Sequence, residues 1–297
     1  MRLIFPLFAS ACLPALLAIP RLSPAQTDST WLLRRYRTGE KIVYRMSATN
    51  TARESATRYG VRAAGEVKRD SAGVMYEELA WSDLSVNGRR VALPRASIEF
   101  RERLSLSPSY RLAIPNLSRI HPGLVGPVVD LLTFYADVQI AAREPGLAQS
   151  GDHVYVNDGN ANSWADGSRV LLGEDAIDFD LTLSDVSYTD SVATLVVRHV
   201  PPARPAITLA APWMRLPVGE TPNNWVQVAR GDSGGYVASV GKETFVASIR
   251  LNLKDGSVLS ASLDNQVDVL ERICRDSLLT LCKEPIRYQI RRRIEIH

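Results

Sequence analysis

Phe245-Val246-Ala247-Ser248-Ile249-Arg250-Leu251-Asn252-Leu253 places apolar side chains at Phe245, Ala247, Ile249, Leu251 and Leu253, alternating with Val246, Ser248, Arg250 and Asn252. A period of two puts successive side chains on opposite faces, which is the pattern of a half-buried antiparallel strand. The run ends at Asp255-Gly256, a dipeptide that accepts positive φ in a hairpin turn. The same alternation recurs at Ile42, Tyr44 and Met46, at Ile177, Phe179, Leu181 and Leu183, and at Tyr288, Ile290, Arg292, Ile294 and Ile296. Asn87-Gly88 marks a second hairpin. Together these segments predict a mainly β chain, an antiparallel curved sheet that is barrel-like or a sandwich.

Proline placement supports that reading, because proline cannot donate to a sheet ladder and avoids central strands. None falls between Gln26 and Leu93 or between Asn223 and Glu284, whereas six lie from Pro94 to Pro145 and six from Pro201 to Pro222. The rhythm breaks once, over Val128 to Glu144, where apolar residues dominate between Pro127 and Pro145. This segment is expected to be a helix buried against the sheet, with Asp130, Thr133, Asp137 and Glu144 as a narrow polar stripe, solvated or, as the alternative, with Asp130 and Asp137 as a catalytic carboxylate pair. Residues 26–297 then form a single β-rich domain, with possible lobes at 26–120 and 146–297 joined through the helix at 128–144.

The chain opens with Met1-Arg2, an apolar run from Leu3 to Ile19, and Ser23-Pro24-Ala25 before Gln26. That order reads as a secretory signal peptide over residues 1–25, cleaved after about Ala25, and predicts a secreted or periplasmic protein. No membrane-spanning segment is expected after its removal. Cleavage would also remove Cys12 and leave Cys274 and Cys282, which in an oxidising compartment are expected to be disulfide-bonded. Lys and Arg number 35 against 32 Asp and Glu in 297 residues, too even a balance to point to nucleic acid.

Arg230-Gly231-Asp232-Ser233-Gly234-Gly235 contains Gly-Asp-Ser-Gly-Gly, which resembles the nucleophile loop of trypsin-like serine proteases. That resemblance implies a serine hydrolase using Ser233, with His153 or His199 as base. The surroundings depart from the pattern. No histidine stands in an Ala-Ala-His-Cys context, and Tyr236 replaces the proline that normally follows the double glycine. A glycine-rich hairpin between strands at Trp225–Arg230 and Tyr236–Val240 accounts for the same residues. Arg230-Gly231-Asp232-Ser233 also resembles an integrin-adhesion tetrapeptide, which leaves an envelope-structural or adhesive role as a further alternative.

Asp158, Asn160, Asn162 and Asp166 carry oxygen ligands at alternate positions, as in a calcium loop, but Arg169 occupies the twelfth position where such a loop has glutamate. A turn-rich loop is the simpler reading. No metal-binding His-Glu-x-x-His, Cys-x-x-Cys pair, phosphate loop or dinucleotide fingerprint occurs, so no cofactor is expected. Trp164, Trp213 and Trp225 would serve as packing residues or, at the open end of a curved sheet, as a ligand mouth. Arg291, Arg292 and Arg293 put two side chains on one strand face and one on the other and read as a solvated sheet edge, with binding of anionic headgroups as the sharper alternative. The reading that follows is a non-catalytic module holding an apolar or lipid-like small molecule. It resembles lipocalins and periplasmic lipoprotein carriers in outline, with no motif of either.

Overall fold

The computed structural model describes residues 29–107, 112–157, 160–164, 170–209, 211–231 and 234–297. After a 3-10 turn at Ser29–Leu32 come β1 (Lys41–Ala52), β2 (Ser55–Arg69), β3 (Met75–Val86) and β4 (Arg89–Arg90). A short helix α1 (Arg95–Glu99) and β5 (Glu102–Leu104) precede the long helix α2 (Pro122–Ala141). The second half supplies β6 (His153–Val156), β7 (Ala161–Trp164), β8 (Val170–Ala176), β9 (Asp178–Ser187), β10 (Val192–Val200), β11 (Trp225–Arg230), β12 (Tyr236–Asn252), β13 (Val258–Cys274) and β14 (Ile286–Ile296). All fourteen strands belong to one open antiparallel sheet, ordered β4-β3-β2-β1-β14-β13-β12-β10-β9-β6. The mainly β expectation, with one apolar helix buried against the sheet, is what the chain builds.

The alternation that marked the strands also sets their faces. Tyr44, Met46 and Ala48 of β1, Leu263 of β13, Ile249 and Leu251 of β12, and Ile294 and Ile296 of β14 turn inward onto Leu124, Val128, Leu131, Phe134 and Val138 of α2. The helix is about 30 Å long at 1.5 Å per residue. Seven strands from β3 to β10 span about 29 Å at 4.8 Å spacing, so the helix matches the width it must cover. By length and composition α2 could also cross a membrane, but its apolar side chains are buried in this core.

Several expectations change. The helix begins at Pro122, not Val128, because proline suits the first helical position and the His121 ring Nδ1 accepts from Gly123 N at 3.0 Å as an N-cap. Pro127 lies inside it, forgoing one bond near the helix start. Its end falls at Ala141, after which Ala142, Arg143 and Glu144 continue in turn-type hydrogen bonds. Asp130 and Asp137 are not solvated: they are 3% and 1% exposed. Strand β14 is central, between β1 and β13, so Arg291, Arg292 and Arg293 are no edge, and Arg292 points inward to Asp130. Asn87 and Gly88 both take positive φ, as a two-residue hairpin requires. The Asp255-Gly256 connection is longer, running from Leu253 to Ser257. Gly256, at φ +71°, lies where a Cβ would stand 2.4 Å from the Leu33 carbonyl oxygen.

The proline-rich 201–222 stretch covers the outer face of the sheet. Ile207, Ala211 and Met214 pack there on Val226, Val228, Ala238, Val240 and Leu270, a second core closed by Leu279 and Cys274. Cys274 and Cys282 are disulfide-bonded, with Cα atoms 3.9 Å apart. The bond holds the loop carrying Leu279, whose carbonyl accepts from Trp213 Nε1 at 2.9 Å. On the loop-entropy relation, so short a closure contributes about 2–3 kcal/mol. The double variant Cys274→Ser, Cys282→Ser should therefore unfold in urea with stability lowered by about that amount and the fold retained. A loss of all cooperative unfolding would contradict this.

Candidate functional site

Sheet register carries one row of inward side chains across the concave face: Asn50 of β1, Arg292 of β14, Asn265 of β13, Phe245 of β12, His199 of β10 and Phe179 of β9. On one side of it the face is apolar and covered by α2. On the other side, Val267, Val269 and Trp225 form a separate apolar cluster with Trp164, Tyr288 and Ile290, and no helix residue belongs to it. The row is thus a polar boundary between a covered half and a thinly covered half.

Both helix aspartates face this boundary. Arg292 Nη2 donates to Asp130 Oδ2 at 2.5 Å, and the Tyr59 hydroxyl donates to the same oxygen. His199 Nε2 donates to the Asp137 carboxylate at 3.0 Å. The two aspartates are seven residues apart, two helical turns and about 10 Å of rise. That step carries the helix from a partner on β14 to one on β10, three strand spacings away. The His199 ring is stacked on Phe245, centroids 4.6 Å apart, and meets Phe179 edge-on at 5.0 Å. Such enclosure fixes the ring plane.

Below the row lies a fork, because β12 carries two strands on one edge. Residues 245–252 pair with β10 and residues 236–241 with β11. Asn224 fills the gap: its Nδ2 donates to the carbonyls of Ala176 (3.0 Å) and Glu243 (3.1 Å), and its Oδ1 accepts from Glu243 N at 2.7 Å. Glu243 is 8% exposed at this fork, and its Oε1 accepts from Asn265 Nδ2 at 3.0 Å. Burial, reinforced by the nearby Asp175, pushes its carboxyl up to about 8. Asp175 is itself raised by burial to about 6, against the pull of His199. Three buried side-chain atoms on or beside this boundary have no hydrogen-bond partner: Asn50 Oδ1, Arg292 Nε and His199 Nδ1. All three belong to the one row.

The apolar floor beyond is built on glycines. Trp225 lies across Gly241, where a Cβ would come within 3.2 Å of the ring, and Trp164 lies across Gly173, where a Cβ would come within 2.6 Å. Glycine leaves room for a flat indole on the sheet surface. At the rim, Arg53 sits 4.4 Å over the Tyr288 ring and pairs with Glu271 at 2.8 Å, which also accepts from the Tyr288 hydroxyl at 2.8 Å.

Of the candidates named from sequence, His199, Trp164 and Trp225 lie at this site. Trp213 belongs to the outer core, under Arg272 at 5.3 Å. His153 is exposed on β6 and bonded to Asp180. Ser233, Asp158 and Asp166 lie outside the described residues. Gly231 and Gly235 close a hairpin loop, Gly231 N donating to the Gly235 carbonyl at 2.8 Å. Gly235 precedes Phe245, the register partner of His199, by ten residues along β12, roughly 30 Å of extended strand. His199 is thus engaged far from that loop. Asn160 and Asn162 are exposed, and Ala161–Trp164 is a strand paired with β8 rather than a turn-rich loop. Among the described residues no group of three His, Cys, Asp or Glu could hold a metal ion. Sequence reading missed Asn265 and Glu243 as site residues and favoured a solvated stripe for Asp130 and Asp137 and a solvated edge for Arg292. The available signal was three consecutive arginines, of which an alternating strand must turn one inward.

No family model, no curated protein and no solved structure matches the chain.

Glu243 gives the site a pH signature. In the unfolded chain a glutamate ionises near its ordinary value of about 4.3, whereas here it holds its proton to about 8. Between those values the folded state binds the extra proton, so its contribution is full at low pH and is lost as pH rises through the folded value. Replacing it by Gln should flatten the fall in stability between pH 5 and pH 8, by up to about 1.4 kcal/mol per pH unit, in urea melts compared with the parent. Parallel pH profiles for the two proteins would contradict the assignment.

Proposed function

We propose that the protein is a secreted or periplasmic, non-catalytic carrier of a lipid-like molecule with an apolar body and a polar head. The observation behind this reading is the adjacency of two features on the concave face. One is the row with unpartnered Arg292 Nε, His199 Nδ1 and Asn50 Oδ1. The other is the apolar cluster of buried Val267, Val269 and Trp225, beyond the reach of α2, whose half-buried members Ile290, Tyr288 and Trp164 form its surface. A polar head that accepts from Arg292 Nε and donates to His199 Nδ1, the ring acceptor left when Nε2 donates to Asp137, would satisfy groups whose burial without a partner costs about 1–3 kcal/mol each. The body would rest on Ile290, Tyr288 and Trp164, gaining about 25 cal/mol per Å² of their remaining apolar surface removed from water. The Cys274–Cys282 bond fits an oxidising compartment, as the secretory reading of residues 1–25 requires.

A titration with cis-parinaric acid tests this. Saturable binding is expected, with energy transfer from Trp225 and Trp164 to the polyene. Ile290→Glu, placing a charge on the floor, should weaken it at least tenfold, while Leu171→Glu, at a residue 51% exposed, should leave it unchanged. Absence of saturable binding by the folded parent, or equal effects of the two variants, would reject the carrier reading.

A further inference from the structure

The outer face of the same sheet carries a second pattern. Register places Arg62 of β2 directly opposite Arg45 of β1, and the Arg45 backbone exchanges both hydrogen bonds with His297 beyond it, each 3.0 Å. Arg250 of β12 stands at the same level, paired with Ser260 of β13. Two residues along each strand beyond the next level lie Arg58 and Arg293, both paired in register with Thr49, and Arg291 follows opposite Thr51. All six arginines are exposed. Like charges directly opposite across a sheet are destabilising. Yet among the described residues Arg45, Arg58, Arg62 and Arg250 make no ion pair, and the acids at outward positions of these strands are Glu66, Asp264, opposite Arg293, Asp268, opposite Gln289, and Glu295, 3.1 Å from Arg293. The near-neutral composition therefore conceals a strongly cationic face.

We propose that this face, spanning β2, β1, β14, β13 and β12, is a docking surface for an anionic phospholipid bilayer. Five strands give it a width of about 20 Å, and the charges are spread in two dimensions as the phosphates of a lipid surface are, rather than along one line as a nucleic-acid backbone would require. The outward positions between these arginines hold Ser47, Thr49, Gly60 and Glu295, with no aromatic ring on which a base could stack. One shallow depression of about 510 Å³ opens on it, lined by Ala56, Arg58, Asn87 and Gly88, and brings an arginine to its wall. This inference stands on the outer face alone and holds whether or not the concave face carries a ligand.

Co-sedimentation of the purified protein with vesicles tests it. Binding is expected to vesicles of phosphatidylglycerol in phosphatidylcholine at low salt, with release at high salt and no comparable binding to phosphatidylcholine alone. Each arginine near such a surface contributes about fivefold, so Arg45→Gln with Arg62→Gln should cut partitioning by about 25-fold. Arg95→Gln, at a side chain 89% exposed on α1, should change nothing, and circular dichroism would show all variants folded. Equal binding to both vesicle types, an unaffected double variant, or binding to duplex DNA without binding to phosphatidylglycerol vesicles would overturn the proposal.

Discussion

The structure turns on burying a helix that carries two carboxylates. Asp130 and Asp137 enter the interior with α2, and an unpaired carboxylate there would cost several kcal/mol. Arg292 and Tyr59 meet one, and His199 meets the other. These partners come from β14, β2 and β10, so the same contacts that neutralise the helix also fix where it lies across the sheet. A purely apolar helix could slide on such a surface, whereas this one has a single seating in which both carboxylates are met. A third polar group fastens the other side: Glu77 accepts from Tyr44 at 2.7 Å and from Tyr135 of α2 at 3.3 Å, with Arg34 beside it at 3.3 Å. Arg34 also reaches Glu40 and Asp255, tying the segment before β1 to the β12–β13 connection.

Helix seating in turn determines what is left uncovered. Because α2 spans the face along the row from Arg292 to His199, the lower part of the sheet must find other cover. Its outer side receives the 201–223 segment, which explains how a proline-rich stretch with little regular structure contributes to a core. Asn223 organises that cover, its Nδ2 donating to the carbonyls of Met214 and Leu216 at 2.9 Å each. Neighbouring Asn224 closes the fork in β12 on the inner side. Two adjacent asparagines thus stitch the connection at the point where the sheet divides, and the inner floor keeps only the thin cluster around Trp225.

Strands were legible because burial on one face imposes alternation, and Tyr44, Leu181, Ile249 and Ile294 all fall where their period predicts. The site was not. Asp130 and Asp137 look like a solvated stripe because sequence periodicity reports which residues share a face, not what opposes that face. Arg292 was hidden for the converse reason, since its neighbours Arg291 and Arg293 are exposed and make the triplet look uniformly external. Register decides both, and it depends on pairings as distant in sequence as Asn50 with Arg292, 242 positions apart, which bring Arg292 under Asp130 of the helix. Helix boundaries failed for a local reason: Pro122 and Pro127 both suit a helix start, and the cap that selects the first is a histidine ring, outside the usual set of capping side chains.

The polar clusters of the interior differ in one respect that bears on function. Around Glu77 the carboxylate is met from several sides, and Arg34 is ion-paired to three acids. Such closure is what a structural staple requires. Along the row, Arg292 and His199 are met by the helix carboxylates and Asn265 by Glu243 at the fork, while Arg292 Nε, His199 Nδ1 and Asn50 Oδ1 have no hydrogen-bond partner. Buried polar atoms are ordinarily satisfied, and leaving several unmet on one row is costly unless something else completes them. The open side of that row is the side toward Ile290 and Trp225, where the sheet is apolar and the helix does not reach. Completion from there by the head of an amphiphile, as proposed, would use both halves of the surface at once, the unpartnered polar atoms for orientation and the apolar cluster for affinity. A bound water would meet the polar atoms but leave the apolar cluster without a role. The contrast between a carboxylate met from several sides on one flank of α2 and a row with unpartnered atoms on the other is the physical basis of the proposed head-group site.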